Sequence, residues 1–149
     1  MNRLLLYIAL IVIPINLFSQ NIKVDEIFPF VAIEKGDYKQ AIDSLNNLLL
    51  ENPKADFLLA KAEALYKIGK FEEALETCSK IEKIKPGLAS RLELKIHLKS
   101  CNQEALQKAL NANIHSKYRL SLYDFFNDET FSYIQETGML DSLLSNQIY

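Results

Sequence analysis

EKGDYKQAI (residues 34–42) with Pro53 behind it, and KIGKFEEAL (residues 67–75) with Pro86 behind it, repeat one pattern at a separation of 33 residues. Laid over each other, they pair Gly36 with Gly69, Tyr38 with Phe71, Ala41 with Ala74, Ile42 with Leu75 and Pro53 with Pro86. Leu45 and Leu48 meet Cys78 and Ile81. A fixed period of this length marks supersecondary units stacked side by side, each burying its apolar face against the next.

The apolar residues within each stretch set the local structure. Tyr38, Ala41, Ile42, Leu45, Leu48 and Leu49 step by three and four, as do Phe71, Ala74, Leu75, Cys78, Ile81 and Ile84. Each set is one stripe of an amphipathic helix. Upstream of Gly69, ADFLLAKAEALYKI (residues 55–68) is rich in strong helix formers and has neither Gly nor Pro, and Leu58, Ala62 and Leu65 make its inner stripe. The unit is a helix, a tight turn at Gly, a second helix, and a proline that stops it.

These residues resemble the tetratricopeptide repeat. That family's pattern takes a small residue in the first helix, Gly at the turn, an aromatic two places on, Ala with an aliphatic residue three further on, and Pro near the close of the second helix. A repeat at about 55–87 carries it through Ala62, Leu65, Gly69, Phe71, Ala74, Leu75 and Pro86. One at about 22–54 carries it through Ala32, Gly36, Tyr38, Ala41, Ile42 and Pro53, with Pro29 standing where the family places a small helical residue. That helix should be short, or kinked at Pro29. The implied fold is all-α, a short right-handed superhelix of antiparallel helix pairs. Alanine lets two helices approach closely and the aromatic fills the space beside it.

A third unit, about 88–118, reads as degenerate. KSCNQEALQKAL (residues 99–110) repeats the Glu-Ala-Leu core at Glu104, Ala105 and Leu106. On that alignment Ser100 replaces the turn glycine, Asn102 replaces the aromatic, and the spacing from Ala74 shrinks to 31. Its leading helix has Leu88, Leu92 and Ile96 on one face and Leu94 and Leu98 on another, as expected of a helix sandwiched in a stack. Residues from about 119 to 149 read as a helical cap. Phe125, Phe126 and Phe131 supply apolar bulk, Asp128 is the candidate N-cap, and Gly138 the stop.

The chain opens with Asn2-Arg3 and an apolar run from Leu4 to Ile13. A basic start, about ten apolar residues and a small residue at Ser19 describe a secretory signal peptide over residues 1–19. LFSQ (residues 17–20) also resembles export signals of Bacteroidetes bacteria. The competing reading is a membrane anchor over residues 4–18. It falls short of the about 20 apolar residues of a span and has Pro14 and Asn16 inside it. The expected location is periplasmic or secreted, with membrane contact only through an uncleaved leader. The full chain has 17 basic and 19 acidic side chains. Without Arg3 the balance is −3, which gives no case for nucleic acid as a partner.

Catalytic signatures are missing: the sequence holds no phosphate loop, nucleophile elbow or His-Glu-x-x-His. Four glycines leave little backbone for a catalytic loop. Neither a catalytic residue nor a cofactor is assigned, and the expectation is a protein that is not an enzyme. Cys78, Cys101, His97 and His115 do not have the paired spacing of a zinc site, so no metal is assigned either. At 1.5 Å per residue, Cys78 lies about 12 Å and Cys101 about 20 Å from the turn at Pro86. A disulfide needs alpha carbons within about 7 Å, so two free thiols are expected.

In the tetratricopeptide family, first-helix side chains line a concave groove that takes a peptide or partner helix. By position, the resemblance implies Leu59, Glu63, Tyr66 and Lys67 (with Asp56) in the second repeat, and Phe30, Ile33 and Glu34 (with Glu26) in the first. The third offers His97. The family's clamp for a peptide carboxylate uses Lys and Asn, where this chain has Leu59, Ala60 and Glu63. The implied groove suits an apolar segment with a basic residue. The implied role is a non-catalytic protein-interaction module in the cell envelope. The alternatives are an accessory subunit docked through its convex face or cap, and a small-molecule or metal-binding module.

Overall fold

A computed structural model of the chain describes residues 24–117 and 120–139. The leader and the end of the cap beyond Met139 lie outside the described residues. Everything regular among them is helical: α1 (Val24–Glu34), α2 (Tyr38–Glu51), α3 (Ala55–Lys67), α4 (Phe71–Ile84), α5 (Ser90–Lys99), α6 (Gln103–His115), α7 (Leu122–Asn127), a 3-10 turn (Glu129–Phe131) and α8 (Ser132–Glu136). From α1 to α6 each helix packs against the next along the chain, and α3 also reaches α5. The all-α repeat expected from the 33-residue pattern is the architecture observed.

The hairpin turns set the register. Gly36 and Gly69 have φ of 82° and 80°, the left-handed conformation that costs other residues about 1–2 kcal/mol. A Cβ at either would meet nothing within 4 Å, so the backbone angle, not space, calls for glycine. Around Gly69 the Lys70 N–H donates to Leu65 O at 2.9 Å and the Gly69 N–H to Tyr66 O at 3.1 Å. Around Gly36 the Asp37 and Gly36 N–H groups donate to Ala32 O and Ile33 O. This pair of bonds ends a helix and satisfies its last carbonyls.

The third turn corrects the sequence alignment. The left-handed residue there is Cys101, at φ 53°, not Ser100, and Asn102 is no substitute for the aromatic. Its side-chain oxygen accepts from the Ala105 N–H at 3.1 Å as the N-cap of α6. Counted from the left-handed residue, the fifth position is Ala41, Ala74 and Leu106, and the ninth is Leu45, Cys78 and Leu110, all buried. Ala105, taken from the sequence as the core alanine, is half-buried. The spacing between the last two turns is therefore 32 residues, as read from Gly69 and Cys101. A local Glu-Ala-Leu match hid a one-residue shift.

Three apolar clusters run along the stack. Leu45, Phe57 and Ala60 hold α2 to α3, with Ile33 packed beside them. Leu58, Ala62, Leu65, Ala74, Cys78, Ile81, Leu92 and Ile96 form the middle. Leu94, Leu106, Leu110, Phe125, Phe131 and Ile134 close the end. Leu92 and Ile96 serve one cluster and Leu94 the next, so α5 is sandwiched as its two stripes imply. Two expected core residues point outward instead: Ile84, in the last turn of α4, and Phe126, at 64% exposure. Phe125 and Phe131 do the capping, with ring centroids 5.2 Å apart.

Pro29 is buried and α1 runs through it for eleven residues. With no N–H at Pro29, that helix lacks one bond to the preceding turn. Cys78 is free and buried, and Cys101 is free and exposed. Burial, then the carboxylates of Glu93 and Glu63, push the Cys78 thiol up to about 12, so it behaves as a small hydrophobe.

Cys101→Gly should stabilise the fold by about 0.5–1 kcal/mol. Relief of the left-handed conformation, about 1–2 kcal/mol, exceeds the added chain entropy of glycine, about 0.5–1 kcal/mol. Gly69→Ala should cost about 1–2 kcal/mol. Urea denaturation midpoints measure both, and a lower midpoint for C101G contradicts the turn assignment.

Candidate functional site

The register fixes which first-helix side chains line up from repeat to repeat. Ten, six and two residues before each left-handed position stand Leu59, Glu63 and Lys67 on α3, and Arg91, Lys95 and Lys99 on α5. The corresponding residues of α1 are Glu26, Phe30 and Glu34.

The structure separates the expected groove residues into three places. At the α1 end, Phe30 is partly exposed with its ring centroid 6.3 Å from that of Phe57, Ile33 packs into the first cluster, and Glu34 is exposed. Next to them Lys54 donates to Glu26 Oε2 at 3.1 Å and lies 4.9 Å from the Phe57 ring centroid. In the middle, Leu59 and Glu63 line a recess of about 360 Å³ with Leu88, Arg91, Leu92 and Lys95. Tyr66 and Lys67 open on a larger cleft of about 870 Å³, whose lining includes Phe71, His97, Lys99, Gln103 and, from the cap, Glu129 and Tyr133. Phe30, Ile33 and Glu34 line neither cavity.

Arg91, Lys95, Lys99 and the cap residues were missed by the sequence reading. Shifting the third repeat so that Cys101 takes the glycine place would have found the three α5 cations. His97, which the resemblance offers from that repeat, lines the cleft, and burial holds its imidazole below the ordinary value.

The electrostatics differ from those of an acidic groove. Burial raises the Glu63 carboxyl above its usual value although its edge meets solvent, and Lys95, Lys67 and Arg91 oppose that rise. Asp128, in the cap, accepts from Arg91 Nη2 at 2.9 Å and Lys95 Nζ at 2.8 Å. Its Oδ1 also accepts from the Thr130 N–H at 3.1 Å, capping the 3-10 turn. Burial alone would raise its carboxyl, but the bonds from Lys95, Thr130 and Arg91 outweigh burial and hold it well below the usual carboxylate range. Tyr66 moves up, through burial and then the charge of Asp128. Lys95 Nζ also lies 5.7 Å from the Phe131 ring centroid. One lysine thus meets both a carboxylate and an aromatic face.

Among the described residues no three His, Cys, Asp or Glu side chains gather as a metal site, and none of the helices is long and apolar enough to cross a membrane. What the arrangement offers is a half-open surface of rings and cations between α3, α5, α6 and the cap.

Residues 31–89, from the second half of α1 to the last residue before α5, match the tetratricopeptide repeat family model. The match supports a tetratricopeptide repeat protein, a kind that generally mediates protein–protein interaction and is typically not enzymatic. No curated protein and no solved structure matches the chain.

Asp128 ties the cap to α5, and its low carboxyl value makes the tie pH-dependent. A group whose folded value is depressed stabilises the fold above its unfolded value and loses that contribution as pH falls. At pH 7, Asp128→Ala should cost about 2 kcal/mol. Asp128→Asn, which keeps an oxygen for the Thr130 N–H, should cost about 1 kcal/mol. From about pH 5 downward the unaltered protein should lose stability faster than D128N. Parallel pH curves of the urea midpoints would remove Asp128 from that role.

Proposed function

We propose that the chain is a non-catalytic protein-interaction module, exported to the cell envelope, that binds a peptide segment or partner helix on its inner side. The observation that carries the binding reading is the cleft of about 870 Å³ between α3, α5, α6 and the cap. Clefts of 300–1,000 Å³ with aromatic walls and a few convergent polar groups are the usual shape of binding sites. Export rests on the sequence of residues 1–19, whose basic start, apolar run and Ser19 match a cleavable leader.

On this reading the binding site centres on the cleft. Tyr66 and Lys67 stay in it, Leu59 and Glu63 form its extension toward the middle of the stack, and Phe30, Ile33 and Glu34 leave it. Arg91, Lys95, Lys99, Gln103 and Tyr133 enter. An accessory-subunit role, docked through the cap, has its own supporting observation. Tyr123 and Phe126 on α7 are 74% and 64% exposed, and exposed aromatics of this size favour a contact surface.

Photo-crosslinking residues placed in the intact cell at Lys99, Phe126 and Leu50 separate these readings. Lys99 marks the cleft, Phe126 the cap, and Leu50 is an exposed residue of α2. We expect a protein adduct from Lys99 and none from Leu50. Adducts from Phe126 alone would move the function to cap docking. An absence of protein adducts at Lys99 would sink the cleft reading.

A further inference from the structure

The cap shows how α5 holds an acid and a ring together. The cap segment Asp128-Glu129-Thr130-Phe131 lies against α5 with its aspartate on Arg91 and Lys95 and its phenylalanine ring beneath the same Lys95. Phe131 is fully buried. A carboxylate three residues before an aromatic side chain is thus held by a cation that contacts both. Charge-assisted bonds of this kind are about twice as strong as neutral ones, and the ring adds a cation–π contribution of about 0.5–1 kcal/mol.

The adjoining cleft holds rings and lysines of the same kind, with Asp128 outside its lining. Tyr66 and Phe71 are half-buried with ring centroids 5.9 Å apart. Tyr133 stands opposite, its hydroxyl accepting from Gln103 Nε2 at 2.8 Å. Lys67 and Lys99 are exposed in the same lining, and among the described residues neither has a carboxylate within ion-pair distance. Each ends its helix, where a cation is favoured by the helix dipole and is held near the carbonyl end. Glu129 is the acid in this lining, against the two lysines. Rings within and cations at the edge complement a ligand that buries an apolar ring and leaves a carboxylate outside.

We infer that the cleft takes a segment of a protein partner in which an aspartate or glutamate precedes an aromatic residue by about one helical turn. The inference rests on the cleft being the interaction site, and it gives that site a chemistry opposite in sign to the apolar-plus-basic segment implied by Glu34 and Glu63. Glu34 is outside the cleft, and Glu63 faces Lys67, Arg91 and Lys95. Single-stranded nucleic acid also combines rings with negative charge. It is disfavoured because the chain as a whole carries more acidic than basic side chains.

The test uses the full chain and fluorescein-labelled probes read by fluorescence anisotropy. One probe is a peptide with Asp-Glu-Thr-Phe between Gly-Ser flanks. Its counterparts replace the two acids by lysine, or the phenylalanine by alanine, and a fourth probe is a single-stranded oligonucleotide. The acidic aromatic peptide should bind about tenfold more tightly than either counterpart. Lys67→Gln with Lys99→Gln should bring the acidic and basic peptides within about twofold of each other, and Lys67→Glu with Lys99→Glu should invert the order. Circular dichroism melts confirm that the variants fold. Equal or tighter binding of the lysine peptide, tighter binding of the oligonucleotide, an unchanged order in the variants, or no binding of any probe each overturns the inference. If Lys99 still crosslinks to a protein in the cell while the acidic probe fails, the stated chemistry falls and the cleft reading stands. If Lys99 also captures no protein, both fall.

Discussion

One backbone conformation organises this molecule: the left-handed residue that closes each helical hairpin. It ends the first helix, reverses the chain within three residues, and starts the second helix at a fixed rotation. The fifth and ninth positions beyond it then fall in the core, as Ala41, Ala74 and Leu106 and as Leu45, Cys78 and Leu110 do. The same rotation puts positions ten, six and two before it on the inner wall. The core face and the opposite column of first-helix side chains are two consequences of one angle, so an error in its placement displaces both. Glycine holds the angle without strain at residues 36 and 69. Cys101 holds it at a conformational cost, met by the capping bond from Asn102 and by Leu106 and Leu110 behind it.

A stack of helix pairs leaves its last apolar face open unless something different covers it. The described part of the cap is built from short pieces, α7, a 3-10 turn and α8, each too short to be stable in isolation. They are held by contacts outside themselves. Phe125, Phe131 and Ile134 fill the face of α5 and α6, the Gln135 side chain donates to the Phe125 carbonyl, and Asp128 fastens the 3-10 turn to Arg91 and Lys95. The fastening also does something to the surface. It pairs one carboxylate with two of the wall's four cations, Arg91 and Lys95, and leaves Lys67 and Lys99 in the cleft lining beside Glu129.

Much of the fold was legible because its signals are local. The 33-residue echo, the stripes at three and four, and the stops at Gly and Pro all report backbone geometry within one hairpin, and the helices lie where these put them. The two faces of α5 were also readable, since each stripe holds three or two leucines and isoleucines at helical spacing. The one-residue shift at Cys101 was not, because Glu104-Ala105-Leu106 imitates the core motif while the turn residue has no side-chain signature of its own. Ile84 and Phe126 fit an apolar stripe but lie at helix ends, where the partner surface has already run out. Position along a helix decides burial there as much as periodicity does.

The candidate site was less legible for a different reason. Its charge is a property of neighbours that are 32 residues apart in sequence and adjacent in space. Read within one repeat, Glu63 is the charge of the wall and calls for a basic partner. Across repeats it faces Arg91 and Lys95, with Lys67 of its own helix beside it, and its own carboxyl is partly desolvated and so less inclined to stay ionised. Asp128 adds a charge from a third segment, which no repeat alignment covers. In an array, each inner side chain touches the equivalent positions before and after it, so the sign of a groove follows from the column of residues at one position, not from the row within one helix. Here the column at Glu63 continues into Lys95, and the column at Lys67 into Lys99. Beside the cap the wall therefore carries Lys67 and Lys99 against Glu129, while at the α1 end Glu26 is already paired with Lys54.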